Sequence, residues 1–79
     1  MTDVDHAKIE REIREAQAEE ERARLANVAA QNNLFKLWLA GTSRQDDRMQ
    51  NAFDAFYRTK AELDEALAKL AQAWRQADV

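Results

Sequence analysis

The chain has no cysteine, no proline and a single glycine, Gly41. Without cysteine it can hold neither a disulfide framework nor a thiolate metal site. An all-β fold needs many turns built from Gly, Pro and Asn-Gly, and those are missing. No segment reaches the roughly 18 uncharged apolar residues of a membrane-spanning helix. The first twenty residues carry charge throughout, unlike a secretory signal. No membrane association is expected, and the expected compartment is the cytoplasm, of the producing cell or of a host. An excess of one charge is also missing. Twelve Lys and Arg oppose fifteen Asp and Glu, a net charge of -3, and both signs occur in both halves. Binding to a phosphate backbone needs a basic stripe, so no nucleic acid is expected as partner. Mixed charge of this kind reads as solvated helical surface.

What is present is helix-forming sequence. Roughly half of the chain is Ala, Glu, Lys, Leu and Arg, the composition of a long helix or coiled coil. Of 36 apolar residues in a chain of 79, 16 are alanine, which leaves few large side chains for a core. A chain this short buries only about 60% of its unfolded surface. With disulfides and metal absent, the usual remaining support is a second subunit.

One place interrupts the pattern, Gly41-Thr42-Ser43. Gly41 suits the left-handed position just past a helix C-terminus. Ser43 or Thr42 suits an N-cap, with Gln45, Asp46 and Asp47 in the next turn and the two aspartates at the positive end of the helix dipole. Thr2 or Asp3 can cap the first helix. These signals define one helical-hairpin domain over 1–79: a first helix at about 3–40, a turn at 41–43 and a second helix at about 44–77. A connection this short favours an antiparallel pair over one continuous rod. The weak helix formers Gln31-Asn32-Asn33 are the other place where a break is conceivable.

The second helix carries a stripe at alternating steps of four and three: Met49, Phe53, Phe56, Lys60, Leu63, Leu67, Leu70, Trp74 and Ala77. The first carries a weaker one: Ile9, Ile13, Ala16, Glu20, Ala23, Asn27, Ala30, Leu34 and Leu37. Both have heptad spacing. Folding the chain between Gly41 and Thr42 sets Ile9 against Trp74, Ile13 against Leu70, Ala16 against Leu67 and Glu20 against Leu63. It also sets Ala23 against Lys60, Asn27 against Phe56, Ala30 against Phe53, and Leu34 against Met49. Large residues then tend to meet small ones, as close packing requires. The polar members Glu20, Asn27 and Lys60 either snorkel to the surface or, for Glu20 and Lys60, pair and set the register. Glu10–Arg14 and Glu20–Arg24 stand at favourable i,i+4 spacing.

A second stripe on the first helix is left over. Leu25, Val28, Asn32, Phe35 and Leu39 lie roughly 160–200° around the helix from the Leu34/Leu37 seam, and Trp38 lies between the two. A two-helix hairpin cannot bury both sides of one helix. An apolar patch of this size marks an interaction site, and covering it with a second copy would give a two-fold four-helix bundle.

No constellation for chemistry is visible. His6 shares a helix face with Asp3 and Glu10, but a free helix end cannot enclose a transition metal. Ser43, the only serine, serves as a cap and is far from His6. No glycine-rich loop exists to hold phosphate. The expectation is an all-α, coiled-coil-like antiparallel hairpin that dimerises into a four-helix bundle. It would be no enzyme and would use no metal or cofactor. It would work as an adaptor, chaperone or inhibitor that binds a protein, itself or another, through an apolar helical face. A purely structural homo-oligomer subunit and a nucleic-acid-associated regulator are the alternatives.

Overall fold

The computed structural model describes residues 3–77. Two helices, α1 (Asp3–Leu39) and α2 (Asp47–Ala77), pack against each other along their length as an antiparallel hairpin. Its Cα trace measures 59 × 15 × 13 Å, as expected for two helices rising 1.5 Å per residue. α1 runs unbroken through Gln31-Asn32-Asn33. The cap expected at Thr2 or Asp3 lies outside the described residues and side chains.

Gly41 ends α1 as the sequence suggests, with φ of +76°. Around it, the Thr42 amide donates to the Leu37 carbonyl and the Gly41 amide to the Trp38 carbonyl, both at 3.0 Å. This double closure satisfies carbonyls that the last helical turn would leave orphaned. A Cβ at position 41 would meet nothing within 4 Å, so backbone conformation and not space selects glycine there.

α2 starts later than expected, at Asp47 and not near residue 44, and its cap is Asp46 and not Ser43 or Thr42. The Asp46 carboxylate accepts from the Arg48 amide at 2.8 Å and holds the Arg48 guanidinium at 3.1 and 3.2 Å. Those hydrogen bonds lower the Asp46 pKa below the ordinary carboxylate value. Ser43 instead stabilises the turn, its hydroxyl accepting from the Gln45 amide at 3.2 Å. The Asp46 carboxylate satisfies one orphaned N–H of α2 and adds two charge-assisted bonds to the Arg48 side chain, which a hydroxyl cannot make as strongly.

The extra loop residues move the axis of the hairpin. Asn27 on α1 donates to Thr59 Oγ1 on α2 at 3.1 Å, and these two residues are equidistant from Ser43. Glu19 likewise reaches Lys69, so the mirror point lies near Ser43, past the gap between Gly41 and Thr42, although the Asn27 amide also reaches the carbonyl of Phe56, the residue expected opposite it. Counting from Ser43 brings position 16 to the height of 70, 23 to that of 63, 30 to that of 56, 34 to that of 52 and 13 to that of 73.

The seam of α2 is also rotated by one residue. Met49, Ala52, Thr59, Ala66 and Ala73 are buried on it, and Phe56, Leu63 and Leu70 are half-buried between them. The steps again alternate three and four. On α1 the expected stripe faces α2: Ala16 is buried, and Ile9, Ile13, Ala23, Asn27, Ala30, Leu34 and Leu37 are half-buried. Leu67, Trp74 and Lys60 are exposed, and Phe53 is only partly covered. The expectation that Leu67 and Trp74 belong to the seam is thus overturned. Small side chains at every seventh position of both helices let the backbones come close. Phe53, Leu67 and Trp74 are too bulky for that line and flank it.

Candidate interaction surface

Register is fixed inside the seam by a polar pair. The Thr59 hydroxyl donates back to the Ala55 carbonyl at 2.7 Å, which leaves its oxygen to accept from Asn27 Nδ2. The second amide proton of Asn27 points to the Phe56 carbonyl at 3.4 Å. The Glu20–Lys60 pair considered for this role does not form. Glu20 binds Arg24 on its own helix at 3.7 Å, and Lys60 turns outward. Glu10 and Arg14 pair as expected at 3.5 Å. One exposed ion pair, Lys69 with Glu19 at 3.6 Å, bridges the helices nearer the open end.

All five residues of the leftover stripe on α1, Leu25, Val28, Asn32, Phe35 and Leu39, are exposed, and so is Trp38 beside it. The five large apolar ones range from 44% exposed at Val28 to 75% at Leu39. Three further large residues, Tyr57, Leu67 and Trp74 on α2, are exposed to a similar degree. The sequence signal for Leu67 and Trp74 was present in the heptad of small residues Ala52, Thr59, Ala66 and Ala73. Once small residues make the seam, the residues one position further on must lie beside it.

The two sets join near the turn. Leu34, Phe35 and Trp38 of α1 line one cleft of about 280 Å³ together with Arg44, Met49 and Phe53. Phe35 and Trp38 meet edge-on with centroids 6.1 Å apart. Phe53 stacks on Tyr57 at 6.4 Å, and Tyr57 meets Phe56 edge-on at 5.5 Å. Phe35, Trp38 and Phe53 therefore occupy the same side of the hairpin. Residues 60, 67 and 74 follow Phe53 at heptad intervals and stay close to that side.

The opposite groove, at the open end, is polar. It is lined by Glu12, Glu15, Glu19, Lys69, Gln72 and Gln76 over Ala16 and Ala73, with a volume of about 220 Å³. Among the described residues no group of three or more His, Cys, Asp or Glu is placed to hold a metal ion. No described helix is long and apolar enough to cross a membrane. The Arg48 guanidinium is engaged by Asp46 at 3.1 Å. The chain matches no protein-family model, no curated protein and no solved structure.

Proposed function

We propose that this hairpin is a non-catalytic protein-binding module that pairs its apolar side with another helical surface, and that the surface is first of all that of a second copy. The observation that carries this reading is exposed apolar area. Eight large apolar residues are between 44% and 75% exposed. The six of them that flank the seam on one side, Val28, Phe35, Trp38, Tyr57, Leu67 and Trp74, present roughly 600 Å² per copy at about 200 Å² per large side chain, most of the about 800 Å² that each partner buries in a standard interface. Closing two hairpins over that area makes a four-helix bundle and supplies the core that a single hairpin lacks. An adaptor, chaperone or inhibitor acts in the same way, by occupying a partner's helical surface.

Sedimentation of wild type and of Phe35→Asp tests the reading, with circular dichroism as the control for folding. Wild type is expected to sediment as a dimer and the variant as a helical monomer, because a buried unpaired carboxylate is strongly penalised. Leu39→Asp, at a more exposed position, should act the same way without touching the seam. A monomeric wild type, or a dimer indifferent to both substitutions, contradicts it.

A further inference from the structure

We infer that the two copies dock with their turns at the same end, through a face that spans both helices, so that the aromatic clusters of the two hairpins meet. The inference rests on the self-association proposed above and adds its direction and the contribution of α2. What carries it is the uneven distribution of apolar surface along the hairpin. Measured from Ser43 at 1.5 Å per residue, Trp38, Phe35, Phe53, Tyr57 and Val28 all lie within about 25 Å of the turn. Beyond Leu25, α1 exposes Glu10, Arg14 and Gln17 but no large apolar residue, and only Leu67 and Trp74 of α2 continue the apolar surface.

A full-length dimer of opposite direction would have its two-fold axis near the level of Lys60. Each α1 would then lie over the α1 of the other copy, reversed. Phe35 and Trp38 would rest on the stretch around Arg14 and Gln17, where α1 has no phenylalanine, tyrosine or tryptophan, and the two aromatic clusters would not meet. With the turns together, the axis runs along the hairpin and each α1 lies over the other copy's α2 at equal height. Phe35 and Trp38 then meet the second copy's Phe53 and Tyr57 near the turn. The clefts lined by Leu34, Met49 and Phe53 face one another, and each can receive a ring from across the axis. Leu67 and Trp74 approach their own counterparts further along.

Because the chain has no cysteine, single labels can be placed without removing any native residue of that type. Gln45→Cys marks the turn and Arg75→Cys the open end; both positions are exposed. Pulsed electron-spin distance measurements on each dimer should give under about 30 Å between copies at both positions, the width of a four-helix bundle with its label arms. About 50 Å at both positions, from the helical rise over the offset, would overturn the arrangement and leave the dimer standing. A short distance at the turn with none measurable at the open end would mean that only the tips overlap, and would overturn it as well. A monomer in sedimentation would instead remove the self-association on which the inference rests.

Discussion

α2 carries two heptad stripes one residue apart, and they meet opposite fates. Ala52, Thr59, Ala66 and Ala73 are buried against α1, while Phe53, Lys60, Leu67 and Trp74 lie beside the seam, mostly exposed. Ranked by hydrophobicity alone, the second stripe should win. The first wins because α1 presents Ala16, Ala23 and Ala30 at the same interval. Two lines of small residues allow a close approach in which Phe56, Leu63 and Leu70 fill the levels between. A hairpin of two helices has one seam, so the larger stripe remains outside with the leftover side of α1. Close packing of the hairpin and an apolar surface available to a partner are thus two results of one choice.

Breaking the seam should have the largest effect. Met49 is the largest fully buried side chain, 1% exposed, and Met49→Ala should cost about 2–5 kcal/mol, read as a lower midpoint in urea unfolding. The polar lock comes next. Thr59→Val removes the acceptor of Asn27 at nearly constant volume and should cost about 1 kcal/mol. It should also relax the register, seen as new amide resonances near residues 27 and 59. Replacing both partners, with Asn27→Leu added, should recover stability without recovering a single register. Unaltered stability in Thr59→Val would show that the lock contributes nothing.

The smallest effect concerns the start of α2. The Asp46 pKa is lowered by its hydrogen bonds to Arg48, so the folded value lies below the unfolded one, about 3.9. The stabilisation is fully present above that pH and is lost as pH falls through the lowered value. Asp46→Asn keeps a capping side chain but cannot titrate. Its thermal midpoint should fall less than that of wild type between neutral pH and pH 3. Parallel pH curves would contradict the role given to this carboxylate.

Much of this was legible in the residues, for identifiable reasons. Gly41 marked the turn because only one conformation there needs it. The α1 stripe and the two ion pairs on α1 followed from spacing. The side of α1 around Phe35 and Leu39 stood out because two apolar stripes cannot both face one neighbour. The start of α2 was misplaced because Ser43 and Asp46 are both good caps, and the contest was settled by Arg48, whose amide and guanidinium both bind Asp46. That delay carried the mirror point to Ser43. The α2 seam was misread because alanine contributes little area and is easily discounted, although its value here lies in what it does not occupy. Leu67 and Trp74 were missed as surface residues for the same reason.

The contrast between neighbouring positions is tested most directly by thermal unfolding of Ala66→Leu and Leu67→Gln, at a concentration where both are monomeric by sedimentation. Ala66→Leu puts a larger side chain into the close-packed seam and should lower stability by about 1–3 kcal/mol. Leu67→Gln changes a flanking, half-exposed position and should cost well under about 1 kcal/mol in the monomer. The opposite order, with Leu67→Gln the more damaged protein, would place the large stripe in the seam and contradict the account.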